Sequence, residues 1–141
     1  MAFKSPEHLE RKLTKADVFN YFHVENNRDY TDSTQIEATH IFIRKCQQSV
    51  ELINEWLYAL NDDYKLFTDN KSTLHEFSEF EFHRHDQSVF SILAKKHNID
   101  ILTTNETYST NWSEMINYPL LAKRDKVCNY KWQFKYWGKI N

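Results

Sequence analysis

The sequence predicts an α/β domain in which helices dominate and the sheet is small. Two stretches, residues 47–60 and the run that follows Asp86, repeat apolar side chains at helical spacing. Two others, residues 39–44 and 99–103, are short and rich in β-branched or aromatic side chains, as strands are. At 141 residues the chain is read as one domain, 1–141, long enough to bury a core of its own.

The elements follow in order. After Pro6, residues 7–22 read as a helix broken near Thr14, with Leu9, Leu13, Val18, Phe19 and Phe22 on its apolar face. Thr14 and Asp17 have the spacing of a capping box. Residues 26–34 are polar and loop-like. Thr39-His40-Ile41-Phe42-Ile43-Arg44 is the first strand. Val50, Ile53, Trp56, Leu57 and Leu60 give the next helix its apolar face, and Asn61-Asp62-Asp63 stops it. Residues 64–82 are mixed and loop-rich. Asp86 or its neighbour caps the helix that follows, whose apolar face is Val89, Phe90, Leu93 and Ala94. Lys95, Lys96 and His97 close that helix where cations complement its dipole. Residues 99–103 form the second strand, and a loop-rich tail ends the chain.

Composition removes several functions. Gly138 is the only glycine, so neither a P-loop nor a dinucleotide fingerprint exists here. Turns that need positive φ fall to Asn and Asp. Net charge is −2 with a pI near 6.4, which gives no global field for nucleic acid or an anionic membrane. Cys46 and Cys128 lie far apart without CxxC spacing, which suits free thiols in a reduced, cytoplasmic setting. The first ten residues lack an apolar core of signal-peptide length, and no apolar run reaches the ~20 residues of a membrane span.

The densest chemistry is His83-Arg84-His85-Asp86-Gln87. Asp86 as an N-cap would only satisfy backbone N–H groups. That role leaves the two histidines, the arginine and the glutamine unexplained. The other reading is a polar cleft rim, where a carboxylate orients a hydroxyl or takes its proton and Arg or His faces an anion. Spacing alone leaves both open. His75, His83, His85 and His97 do not make the three or four placed ligands that zinc needs. Lys131, Lys135 and Lys139, among Trp132, Phe134, Tyr136 and Trp137, read as a solvated face rather than a nucleic-acid surface.

Several segments taken in order carry a resemblance. They are Leu13-Thr14-Lys15-Ala16-Asp17-Val18-Phe19, Thr34-Gln35-Ile36-Glu37-Ala38, Ile43-Arg44-Lys45-Cys46-Gln47-Gln48-Ser49, Glu55-Trp56-Leu57 and His83-Arg84-His85-Asp86-Gln87-Ser88-Val89-Phe90-Ser91-Ile92-Leu93. Together they resemble the later, acceptor-side portion of GT-A-like bacterial and viral glycosyltransferases of the capsular-polysaccharide type, over residues 12–101. The resemblance implies part of a Rossmann-like αβα fold and sugar transfer from a nucleotide-sugar to an acceptor hydroxyl in surface-glycan synthesis. It implies Asp86 as the acceptor-side carboxylate, Gln87 as a sugar-positioning residue, and His83, Arg84 and His85 as cleft lining. Such enzymes hold a divalent ion, Mn²⁺ or Mg²⁺, on a D-x-D segment. This chain has none: Asp62-Asp63 is adjacent and Glu79-Phe80-Glu81 is a poor substitute. The donor-binding half has no counterpart in these residues, so the chain reads as a fragment or split subunit. Exposed apolar faces, a partner chain or self-association would follow, with a cytoplasmic location that extends to the membrane surface. The alternative is a non-catalytic glycan- or partner-binding α/β module.

Overall fold

A computed structural model of the protein describes residues 1–103 and Leu120. Within them the order is β1 (Ala2–Leu9), α1 (Glu10–Leu13), α2 (Ala16–Tyr21), α3 (Arg28–Thr31), β2 (Thr34–Glu37), α4 (Gln47–Asp62), a 3-10 turn (Tyr64–Phe67), α5 (His85–Lys96) and β3 (Ile101–Thr103). The fold is a small α/β arrangement. The described strands form one mixed sheet in the order β2-β1-β3. β2 runs antiparallel to β1 with Phe3 opposite Glu37, and β3 runs parallel to it with Phe3 opposite Leu102.

The helix expected from residue 7 is a correction. Residues 2–9 are a strand, and helix begins only at Glu10. Pairing of Leu9 with Thr34 keeps the chain extended past Pro6. Proline disfavours the helical region for the residue before it and cannot donate to a ladder. The β1–β2 register shifts between Lys4 and Leu9, so the proline falls where pairing is interrupted. The break near Thr14 is observed, since Thr14 and Lys15 separate α1 from α2. The Thr14–Asp17 capping box is not formed. Lys15 is the N-cap of α2 without a side-chain cap, and Glu76 Oε2 accepts from the Ala16 N–H at 2.8 Å instead.

The strand expected at residues 39–44 is a second correction. The sheet takes Thr34–Glu37, and residues 41–45 have no regular structure. Phe42 does rejoin the start of the chain: its N–H donates to Met1 O at 3.0 Å, and the Met1 amino group donates to Phe42 O at 3.1 Å. β2 is an edge strand with one outward N–H already used, because Ile36 donates to Ser91 Oγ at 2.7 Å. That bond lays α5 along the edge and blunts it.

Helix α4 covers the predicted span and stops at Asp62, but it buries a narrower face than expected. Leu52 and Ala59 are buried and Trp56 is half-buried, whereas Val50, Leu57 and Leu60 are exposed beside Tyr58 and Tyr64. Helix α5 is the reverse case. Ser88, Val89, Phe90, Ser91, Ile92, Leu93 and Ala94 are all buried, so it is covered on every side. Val89, Ile92 and Leu93 join Val18, Phe19, Phe22 and Leu66 in one core cluster. Phe90 and Ala94 join Ala2, Ile36 and Leu52 in the other, with the Trp56 ring tilted against Phe90 at 5.0 Å between centroids. Each fully buried Val, Leu, Ile or Phe among them contributes about 1.5–3 kcal/mol of transfer free energy.

Glycine scarcity is met at two helix ends. His23 (φ 57°) and Asn98 (φ 48°) take the left-handed position after α2 and α5. Val24 N–H donates to Phe19 O and Ile99 N–H to Ala94 O, the six-to-one closure of a Schellman motif. Asn was expected in this role; His23 was not, although histidine tolerates positive φ better than most residues.

Candidate functional site

The start of α5 is built by its neighbours. Glu81 N–H donates to Lys12 O at 2.8 Å and Arg84 N–H to Leu13 O at 3.1 Å, so residues 81–84 lie along the α1–α2 junction. This placement keeps His83 and His85 in contact and sends Arg84, Asp86 and Gln87 to different surroundings.

His83 points inward. Its Nε2 donates to Leu66 O at 2.8 Å and its Nδ1 accepts from Lys15 N–H at 3.4 Å. Those bonds fix a neutral imidazole, and burial pulls its pKa down to about 4. Lys15 is buried beside it, and its Nζ donates to the carbonyls of Lys65, Thr68 (3.1 Å) and Asn70 (3.4 Å). His85 lies edge-to-face against His83, ring centroids 5.6 Å apart, with Nε2 2.7 Å from Asp69 Oδ1. Its φ of 48° is a left-handed value at the helix entry, which costs a non-glycine residue about 1–2 kcal/mol. Arg84, the N-cap residue, lays its guanidinium against the His8 ring, with both nitrogen pairs at 3.3 Å, and its carbon lies 5.7 Å from the Phe82 centroid. Burial lowers the His8 pKa and the Arg84 charge lowers it further.

Asp86 does not cap α5. It sits exposed in the first turn, where its charge complements the helix dipole, and it makes no side-chain hydrogen bond among the described residues. Gln87 turns inward, its Nε2 donating to Gln35 Oε1 at 2.8 Å.

Gln87 opens a buried polar network. Gln35 Nε2 reaches Thr14 Oγ1 at 3.0 Å and Ser88 Oγ at 3.1 Å, and Ser88 Oγ donates to Leu13 O at 2.7 Å. Thr14 Oγ1 donates to Glu10 Oε2 at 2.6 Å. Glu10 Oε1 accepts from Ser91 Oγ and, at 2.5 Å, from Lys95 Nζ. Glu10, Thr14, Gln35, Ser88 and Ser91 are all fully buried. Burial lowers the Lys95 pKa, and the Glu10 carboxylate opposes that shift. Three separated segments of the resemblance, around Thr14, Gln35 and Ser88, therefore meet in one hydrogen-bonded unit. A fourth, around Trp56, packs on Phe90, and its Glu55 pairs with Lys96 at 2.6 Å and His97 at 2.8 Å.

His83 and Lys15 also border a cavity of about 640 Å³, whose walls include Phe77, Phe80 and Phe82 and whose polar lining includes Asp69, His75 and Glu76. Among the described residues no three His, Cys, Asp or Glu side chains group to hold a metal ion. The carboxylates nearest in sequence to a D-x-D each have another partner. Asp62 accepts from Tyr21, Asp63 caps the 3-10 turn, Glu79 accepts from Ser78, and Glu81 pairs with Lys12. These side chains, each with another partner, do not fit a divalent-ion site. No described helix is long and apolar enough to cross a membrane. Cys46 is an exposed free thiol at the start of α4; Cys128 and the lysine–aromatic tail lie outside the described residues.

Sequence reasoning passed over Glu10, Ser88, Ser91 and Lys95 as a polar set. The signal was present: Ser88, Ser91 and Lys95 recur at spacings of three and four on an otherwise apolar helix. Compared with protein-family models, with curated proteins and with solved structures, the chain has no match.

Proposed function

We propose that this chain is the acceptor-side part of a nucleotide-sugar glycosyltransferase of surface-glycan synthesis, with a GT-A-like frame. The observation that carries the reading is the meeting of the resembling segments. Residues near 14, 35 and 88 hydrogen-bond to one another in the core, and they present Asp86 at the surface with no competing partner. Asp86 contacts the acceptor hydroxyl, and Gln87, fixed by Gln35, helps to position the sugar. His83 is a support for this site rather than a titrating member of it, because both ring nitrogens are engaged. His85 and Arg84 line the rim with Asp69 and His8. The acceptor hydroxyl is a poor nucleophile, so a carboxylate beside it contributes about 10²–10⁴-fold.

The test combines the chain with a donor-binding GT-A half and supplies UDP-, GDP- and CMP-sugars with mono- and disaccharide acceptors. Transfer that falls at least about 10²-fold in Asp86→Ala supports the role; equal transfer by the variant removes it. A second reading, glycan binding without catalysis, draws on the phenylalanine walls of the 640 Å³ cavity, since aromatic rings offer flat apolar faces to sugars. Carbohydrate affinity without nucleotide-sugar turnover would favour it.

A further inference from the structure

Among the described residues, two that take positive φ have a folding reason, since His23 and Asn98 close helices α2 and α5. His85, at φ 48°, opens a helix rather than closing one. Unfavourable backbone geometry of this kind gathers at functional sites, held there by its surroundings. Here it sets an imidazole between two residues that line the cavity of about 640 Å³, Asp69 and His83. Asp69 Oδ1 lies 2.7 Å from His85 Nε2, and the His83 ring meets the His85 ring edge-to-face at 5.6 Å. His83 has no ring nitrogen to offer a ligand, because both are engaged. His85 does. A carboxylate only accepts, so the neutral ring carries its hydrogen on Nε2 and its lone pair on Nδ1. That Nδ1 accepts from no described group. Asp69 is exposed, so the pair meets whatever enters the cavity.

Building on the glycosyltransferase reading, we propose that His85, held by Asp69 at the edge of this cavity, takes the proton of the acceptor hydroxyl through Nδ1. The cavity receives the acceptor sugar, and the co-reactant is a nucleotide-sugar. The acceptor oxygen forms its bond to the anomeric carbon as the bond from that carbon to the diphosphate oxygen breaks. The electron pair of the broken bond leaves with the diphosphate. The hydroxyl proton passes to His85 Nδ1, and the imidazolium so formed stays paired with the Asp69 carboxylate until it releases the proton to water. Asp69 is a positioning residue: it fixes the tautomer and the ring.

The experiment has two arms. In the first, nitrogen NMR of the imidazole rings in the full chain reads the His85 tautomer, with no donor needed. Hydrogen on Nε2 is expected, with that preference lost in Asp69→Ala; hydrogen on Nδ1 in the wild type overturns the assignment. The second arm measures transfer by the full chain joined to a donor-binding GT-A half, with UDP-, GDP- and CMP-sugars. His85→Gly is the variant, because glycine takes φ 48° without penalty and the fold keeps its helix entry. It should melt no lower than wild type, lose about 10²–10⁴-fold in kcat with acceptor KM little changed, and regain part of the loss with added imidazole. Asp69→Ala should also lower kcat more than it raises acceptor KM. Transfer that persists in His85→Gly, a loss that imidazole does not restore, or a lower melting temperature overturns the His85 assignment alone. No transfer by the wild-type chain with any donor overturns the underlying reading, and the assignment falls with it.

Discussion

Glu10 and Glu37 are both glutamates that the fold takes out of water near α5, and they are treated in opposite ways. Glu10 is fully buried and accepts from Thr14, Ser91 and Lys95. Glu37 is half-buried and accepts from no described group. A saturated carboxylate holds β1, α1 and α5 in one arrangement. The Glu37 side chain, which accepts from no described group, adds no such tie. The contrast extends to the imidazoles: both ring nitrogens of His83 are engaged, whereas the buried Nδ1 of His40 is unpartnered. The bonded groups tie α1, β2 and α5 together, whereas Glu37 and His40 stand outside that network.

The largest expected effect breaks the first group. Glu10→Ala strands the Lys95 ammonium in the core without its carboxylate, at a cost of about 3–5 kcal/mol. Urea denaturation measures it, and a loss under about 1 kcal/mol would mean that the pair adds little to stability. The next effect sharpens the place of His83. Its folded pKa of about 4 lies below the ordinary value of 6.5, so the folded state binds fewer protons than the unfolded state between those values. Stability from the neutral ring is complete above pH 6.5 and is lost as pH falls towards 4. The full difference is on the order of 3 kcal/mol. Denaturation of wild type and His83→Gln across that window should show the acid slope reduced in the variant; parallel slopes would place the titration elsewhere.

Much of the helical frame was legible in the sequence. The spacing of Val50, Ile53 and Trp56 located α4, and the break near Thr14 was visible. The burial of α4 was less so, because Val50, Leu57 and Leu60 are exposed and Leu52 and Ala59 are the buried residues. Periodicity reports a helix, but which of its sides meets the core depends on the crossing with α5. The sheet was misread for a local reason. Residues 39–44 have strand composition, yet the chain bends after Glu37 and only Phe42 regains the ladder, through Met1. The true strand, Thr34-Gln35-Ile36-Glu37, carries three polar side chains, of which Gln35 is held by buried hydrogen bonds, and composition hides it. The dense run from His83 to Gln87 marked the right place. Adjacent residues on a turn entering a helix fan outward, so apart from the touching His83 and His85 rings the run's side chains serve the core, the rim and solvent.

The distinction between the two groups is tested most directly by equilibrium urea denaturation of Gln35→Ala beside Glu37→Gln. Gln35 links Thr14, Ser88 and Gln87, and its truncation should cost about 1–3 kcal/mol by leaving buried partners unpaired. Glu37→Gln, two residues along the same strand, should change stability by no more than about 0.5 kcal/mol, because its side chain makes no hydrogen bond or ion pair among the described residues. A Glu37→Gln loss as large as that of Gln35→Ala would contradict the account, for it would make Glu37 a member of the structural network.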